Sequence, residues 1–144
     1  MFSEKVSPKN PPYVWIKLTS RSEGISAALV CRRWTSQCFL NFLPVGEICS
    51  YATLVALHGP DYVVFSCVAA FKHLEEAILD AVAAQLEHGR YVVEVLMSAQ
   101  IEGFSFAKSL EFIEKLERKH GSAIKTDLIR VARAHKLPFQ HMQL

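Results

Sequence analysis

Glycine is scarce in this chain: six in 144 residues, each standing alone. A phosphate-cradling loop needs several close together, so nucleotide binding of the glycine-rich-loop kind is excluded. Cysteine is equally unhelpful to metal or redox chemistry. Cys31, Cys38, Cys49 and Cys67 make no CxxC pair, and the six residues between Cys31 and Cys38 match no zinc or redox spacing. The six histidines form no HExxH motif and combine with no cysteine at zinc-finger spacing. No metal site and no cofactor are expected.

Long apolar runs are missing too. The longest, YVVFSCVAAF at 62–71, is ten residues with Ser66 inside it, too short to span a bilayer. The opening MFSEKVSPKNPP is polar and proline-rich and has no apolar signal core. Membrane insertion is not expected. Three of the cysteines sit in apolar runs, as reduced thiols do, and the expected setting is cytoplasmic.

What is present is apolar. Hydrophobic residues make up 51% of the chain against 21% charged, enough for a well-filled core with apolar surface left for a partner. The charge is unevenly spread. Residues 1–45 carry six Lys/Arg and two acids, 46–107 two and eight, and 108–144 eight and four. An acidic middle between basic ends suits charge matching inside the fold, between two copies, or with an anionic partner.

Residues 1–12 read as a flexible leader and 13–144 as a single domain. YVWIKLT at 13–19 has the β-branched and aromatic content of a strand. ISAALVCRRW at 25–34 reads as a strand pairing back on it, with a short helix as the alternative because Ala27, Ala28 and Leu29 favour helix. QCFLNFL at 37–43 reads as a third strand. VGEICSYATLVALHG at 45–59 has the length and the closing glycine of a helix. YVVFSCV at 62–68 has the short continuous apolar run of a central strand. FKHLEEAILDAVAAQLEHG, 71–89, is an amphipathic helix closing at Gly89, and YVVEVLM at 91–97 is a further strand. A helix capped by Ser105 runs to Gly121, and a last one covers about 123–136. The expected fold is one compact α+β domain: a mixed or antiparallel sheet of four to five strands with three to four helices packed on it.

The stretch ERKHGSAIKTDLIRVARAHKL, 117–137, raises the question of a helix-turn-helix, with Gly121 as the turn and Lys125, Arg130, Arg133 and Lys136 on phosphates. The spacing fits that motif poorly. Glu117 falls where a small residue belongs, and Asp127 where a branched apolar one does. A final helix capped by Ser122 or Thr126, with solvated cations towards its end, uses the same residues more comfortably. Cys67, close in sequence to His73, is the best candidate for a catalytic thiol, but the apolar VAAF between them favours buried packing.

HLEEAILDAVAAQLEHGRYVVEVLMSA, 73–99, resembles the helix–strand segment of a small subunit of the tRNA-modifying KEOPS complex, and no function is carried over from it. The expected function is a small non-enzymatic binding or adaptor protein acting through protein–protein contacts, with a homodimer as one form. Tyr13, Trp15, Trp34 and Phe104 are the interface candidates. The alternative is a nucleic-acid-binding regulator using the basic C-terminal helix.

Overall fold

A computed structural model describes residues 27–88 and 100–135. Five helices account for most of them: α1 (Ala27–Ser36), α2 (Val45–His58), α3 (Asp61–His73), α4 (Glu75–His88) and α5 (Phe106–Ala134). Among the described residues there is no strand, so the α+β expectation is replaced by an all-helical bundle. The proposed strands at 13–19 and 91–97 lie outside the described residues.

The largest correction is at 62–68, which belongs to α3. A continuous apolar run fits a buried strand and a buried helix equally, and length has to decide between them. The helical segment runs thirteen residues and starts directly after Pro60, with Asp61 in its first turn. It is apolar nearly all round because it is central. Tyr62, Phe65, Cys67, Ala69 and Ala70 are buried, and each of the other four helices packs on α3, α5 most extensively.

The segment 25–34 follows its alternative and is helical over Ala27–Ser36, burying Val30 and Trp34 one turn apart. Residues 37–43 are a compact turn, not a strand. Cys38 and Phe39 both adopt positive φ, at 47° and 60°, a conformation incompatible with strand pairing. Phe39 N–H reaches back to the carbonyl of Trp34 at 2.7 Å. The Phe39 ring is fully buried, stacked on Trp34 and edge-on to Tyr51, which offsets the backbone strain.

α2 is the helix its sequence suggests, closed by Gly59 at φ 104°. The segment expected as one helix over 71–88 is divided at Leu74 between α3 and α4, with the Lys72–Glu75 ion pair across the break. Ser105 caps α5 as expected, its side chain accepting from Lys108 N–H. A second cap comes from far away: Glu47, in the first turn of α2, accepts the Phe106 N–H at 2.8 Å. That carboxylate ties the two helix starts together and also complements both dipoles. Ile101 N–H on Phe42 carbonyl, and His73 Nε2 at 2.7 Å from the Glu102 carbonyl, hold the 100–105 loop on the turn and on the end of α3.

α5 is one unbroken helix of 29 residues. It passes through Gly121, so neither a helix end nor a turn exists there. Thr126 does not cap a new helix; its hydroxyl donates to the Ser122 carbonyl one turn back.

Candidate functional site

Polar side chains gather where the start of α3 crosses the middle of α5. Gly59 ends α2 in a left-handed conformation, and Pro60 starts α3 at once. This tight corner places Asp61 and Tyr62 in the first turn of α3, facing α5 one turn either side of Gly121. Tyr62 O–H donates to Glu117 Oε2 at 2.6 Å. The His58 ring stacks on Tyr62, with centroids 4.3 Å apart and planes 14° from parallel. Asp61 is 1% exposed; its Oδ2 lies 3.9 Å from Lys125 Nζ and has no hydrogen-bond partner. The positive end of α3 compensates the buried carboxylate in part. The exposed Lys125 adds to this at a distance where attraction persists but no hydrogen bond forms.

The junction acts as a clamp. Tyr62 and Glu117 are committed to each other, and Glu117 sits half-buried because it has that partner, as a carboxylate at that position must. Burial pushes the Tyr62 phenol upward, helped by the bond to Glu117 and by the nearby negative charges of Glu117, Asp61 and Glu114. Burial also pushes Tyr51 up, to about 12. Both phenols thus ionise in the unfolded chain, near pH ~10, before they do so in the folded one. Their contribution to stability is complete below that pH and is lost as pH climbs through the folded values. We expect unfolding free energy to fall by about 1.4 kcal/mol per pH unit for each tyrosine above pH ~10. Denaturant midpoints read against pH would show this, and Tyr62→Phe should remove one such increment, about 1.4 kcal/mol per pH unit, from the slope.

The second feature is the outer flank of α2. Val45, Cys49, Ala52, Thr53, Ala56 and Leu57 follow one another along it, all exposed and none charged. Val45 is 74% exposed and Leu57 72%, and Leu40 in the preceding turn is exposed as well. The only acid on α2, Glu47, is turned inward to cap α5. A surface helix ordinarily carries its charges on this side, so α2 is apolar on both.

The residues singled out from sequence scatter. Tyr13, Trp15 and Lys136 lie outside the described residues. Trp34, 1% exposed, and Phe104 are core residues; Trp34 packs on Phe39, Phe42 and Phe71, and Phe104 on His73 and Phe106. Lys125 faces Asp61, Arg130 pairs with Asp127 at 2.9 Å, and Arg133 is exposed near the end of α5. Cys67 is buried. A hydrogen bond with the half-buried Cys31 and its own burial push the Cys67 thiol well above its ordinary range, the reverse of an activated nucleophile. Sequence reasoning missed Asp61, Tyr62 and Glu47. The signal for the first two was there, in Gly-Pro followed by an acid, which marks a helix start. Glu47 gave none, because its partner is 59 residues away.

A family model described as the Rab TBC domain of the broad-minded protein matches residues 10–131. Protein broad-minded of Danio rerio is 36% identical over 109 residues, covering 75% of this chain. Protein broad-minded of Mus musculus is 31% identical over 106 residues, covering 73%. The chain spans 8% of the length of each of these relatives. This is a different family from the one residues 73–99 resemble. No solved structure matches. Among the described residues, no helix is long and apolar enough to cross a membrane.

Proposed function

The chain belongs to the family of the broad-minded protein's Rab TBC domain, and from that premise we propose that it acts by protein–protein contact with a Rab-type small GTPase. The observation that carries this reading is the uncharged outer flank of α2. An exposed helix with Val45, Ala52, Ala56 and Leu57 along one side gains by covering them. The family description supplies the class of partner. The role is binding, without a chemical step of its own. The burial of Cys67, whose thiol is pushed up by its hydrogen bond with Cys31 and by burial, speaks against it as a nucleophile, and the free thiols suit a reducing, cytoplasmic setting.

The test is a titration of the chain into a panel of purified Rab-type GTPases in both nucleotide states, with Leu57→Asp beside wild type. A charge placed at the C-terminal end of this apolar flank should weaken binding at least about tenfold, with only the small fall in melting temperature that an acid in the last turn of a helix brings. No binding to any member in either state would remove the reading. Faster GTP hydrolysis on adding the chain would keep the contact and overturn the non-catalytic part. Sedimentation of the same two proteins addresses self-association. A wild-type dimer that Leu57→Asp makes monomeric would give the flank to a second copy.

A further inference from the structure

The clamp and the α2 flank leave the outward side of α5 unused. At about 100° per residue, Lys108, Lys115, Lys119, Arg130 and Arg133 fall within about 40° of a single line along the helix. All five are exposed. Ser122 and Thr126 fill the gap on the same side, also exposed, and no acid stands on the line. Glu111 and Asp127 lie to its two sides, each paired with one row member, Lys115 at 2.8 Å and Arg130 at 2.9 Å. Lys108 and Lys119 have no ion pair among the described residues. Because α5 is unbroken, the row is continuous, and from Lys108 to Arg133 it extends about 37 Å.

We propose that this row is a docking strip for the surface of an anionic lipid bilayer, engaged by charge without insertion. Charge complementarity sets the sign of the occupant: five aligned cations call for a negative surface. Shape chooses among negative surfaces. The row runs along the outward side of one continuous helix, so it can lie along a plane, whereas a duplex presents its phosphates on a path that winds away from it. α5 has no turn at Gly121 that would project a recognition helix into a groove. The row has no aromatic residue free to stack on bases either, since the half-buried Phe112 on it packs against the core. The missing apolar wedge also sets the mode of attachment. Basic side chains near an anionic leaflet contribute additively and are screened by salt, and nothing here enters the acyl region.

The experiment is co-sedimentation of the whole chain with vesicles of phosphatidylcholine alone and with a third of the lipid replaced by phosphatidylserine, at about 20 mM and about 150 mM salt. Binding is expected only to the anionic vesicles and should weaken at the higher salt. The triple variant Lys115→Glu, Lys119→Glu, Arg130→Glu should lose it at least about tenfold. The control is Arg32→Glu, Arg33→Glu on α1, both exposed, which changes net charge away from the row and should stay within about twofold of wild type. Melting curves confirm that each variant is folded. Equal binding to neutral vesicles, no binding at low salt, or an equal loss in the control would overturn the proposal. So would tighter binding to duplex DNA than to the anionic vesicles under the same conditions, which would hand the row to nucleic acid. None of these outcomes bears on the α2 flank, so the two readings stand or fall separately.

Discussion

Replacing Trp34 by alanine should destabilise the protein by about 3–5 kcal/mol, the usual cost of emptying a buried aromatic site. The indole is 1% exposed and lies between Phe39, Phe42 and Phe71, with ring centroids 5.9, 6.4 and 4.8 Å away. It joins α1, the strained turn and α3, so the cavity opens where three segments meet. The turn should suffer most, because burial of Phe39 against Trp34 is what holds two non-glycine residues at positive φ. Trp34→Phe separates packing from polarity. Indole Nε1 is buried without a hydrogen-bond partner, so phenylalanine keeps most of the ring contact and removes an unsatisfied donor. That variant should lose under about 1.5 kcal/mol. Urea unfolding of both variants checks the pair. A loss below about 1 kcal/mol for the alanine variant would return Trp34 to the surface role its residue type suggested.

Gly121→Pro should cost about 3 kcal/mol or more. Proline at 121 removes one helical hydrogen bond, and its ring strikes the carbonyl four residues back, which is that of Glu117, the residue holding Tyr62. The damage therefore reaches the α3–α5 clamp as well as α5. Gly121→Ala acts in the opposite direction. Alanine gains up to about 1 kcal/mol of helix propensity over glycine. Its Cβ would lie 3.3 Å from Glu117 Cγ and meet nothing else within 4 Å, so a small shift of that side chain takes back part of the gain. Were Gly121 a left-handed turn residue, the alanine variant would instead be strained and less stable. Thermal melts of the two variants distinguish the cases by sign.

Both predictions rest on residues whose type was plain in the sequence and whose place was not. Tryptophan is at home in cores and at interfaces alike, and nothing within ten residues of Trp34 says which. A glycine flanked by basic residues looks like a turn, yet a helix packed along its length tolerates one, and the apolar spacing through Ile113, Ile124 and Leu128 continues across it. The run at 62–68 reads as a strand because a helix surrounded on every side loses the polar face by which helices are recognised. The turn at 37–43 was hidden because its positive φ values fall on cysteine and phenylalanine. Where local chemistry decides, the reading held: α2 with its closing glycine, and Ser105 at the start of α5. The clamp was half legible. Gly59-Pro60-Asp61 announces a helix start, but the partners of Asp61 and Tyr62 come from a helix more than fifty residues away.

The continuity of α5 carries the rest of the account. It sets Glu117 and Lys125 opposite Tyr62 and Asp61, and it puts the five cations in line. The most direct test is the backbone carbon chemical shifts of residues 117–126 in the wild-type chain. An unbroken series of helical shifts through Gly121, with slowly exchanging amides on both sides, is the predicted result. A return to coil or left-handed values at Gly121 would contradict it, separate the clamp into two unrelated contacts, and break the row.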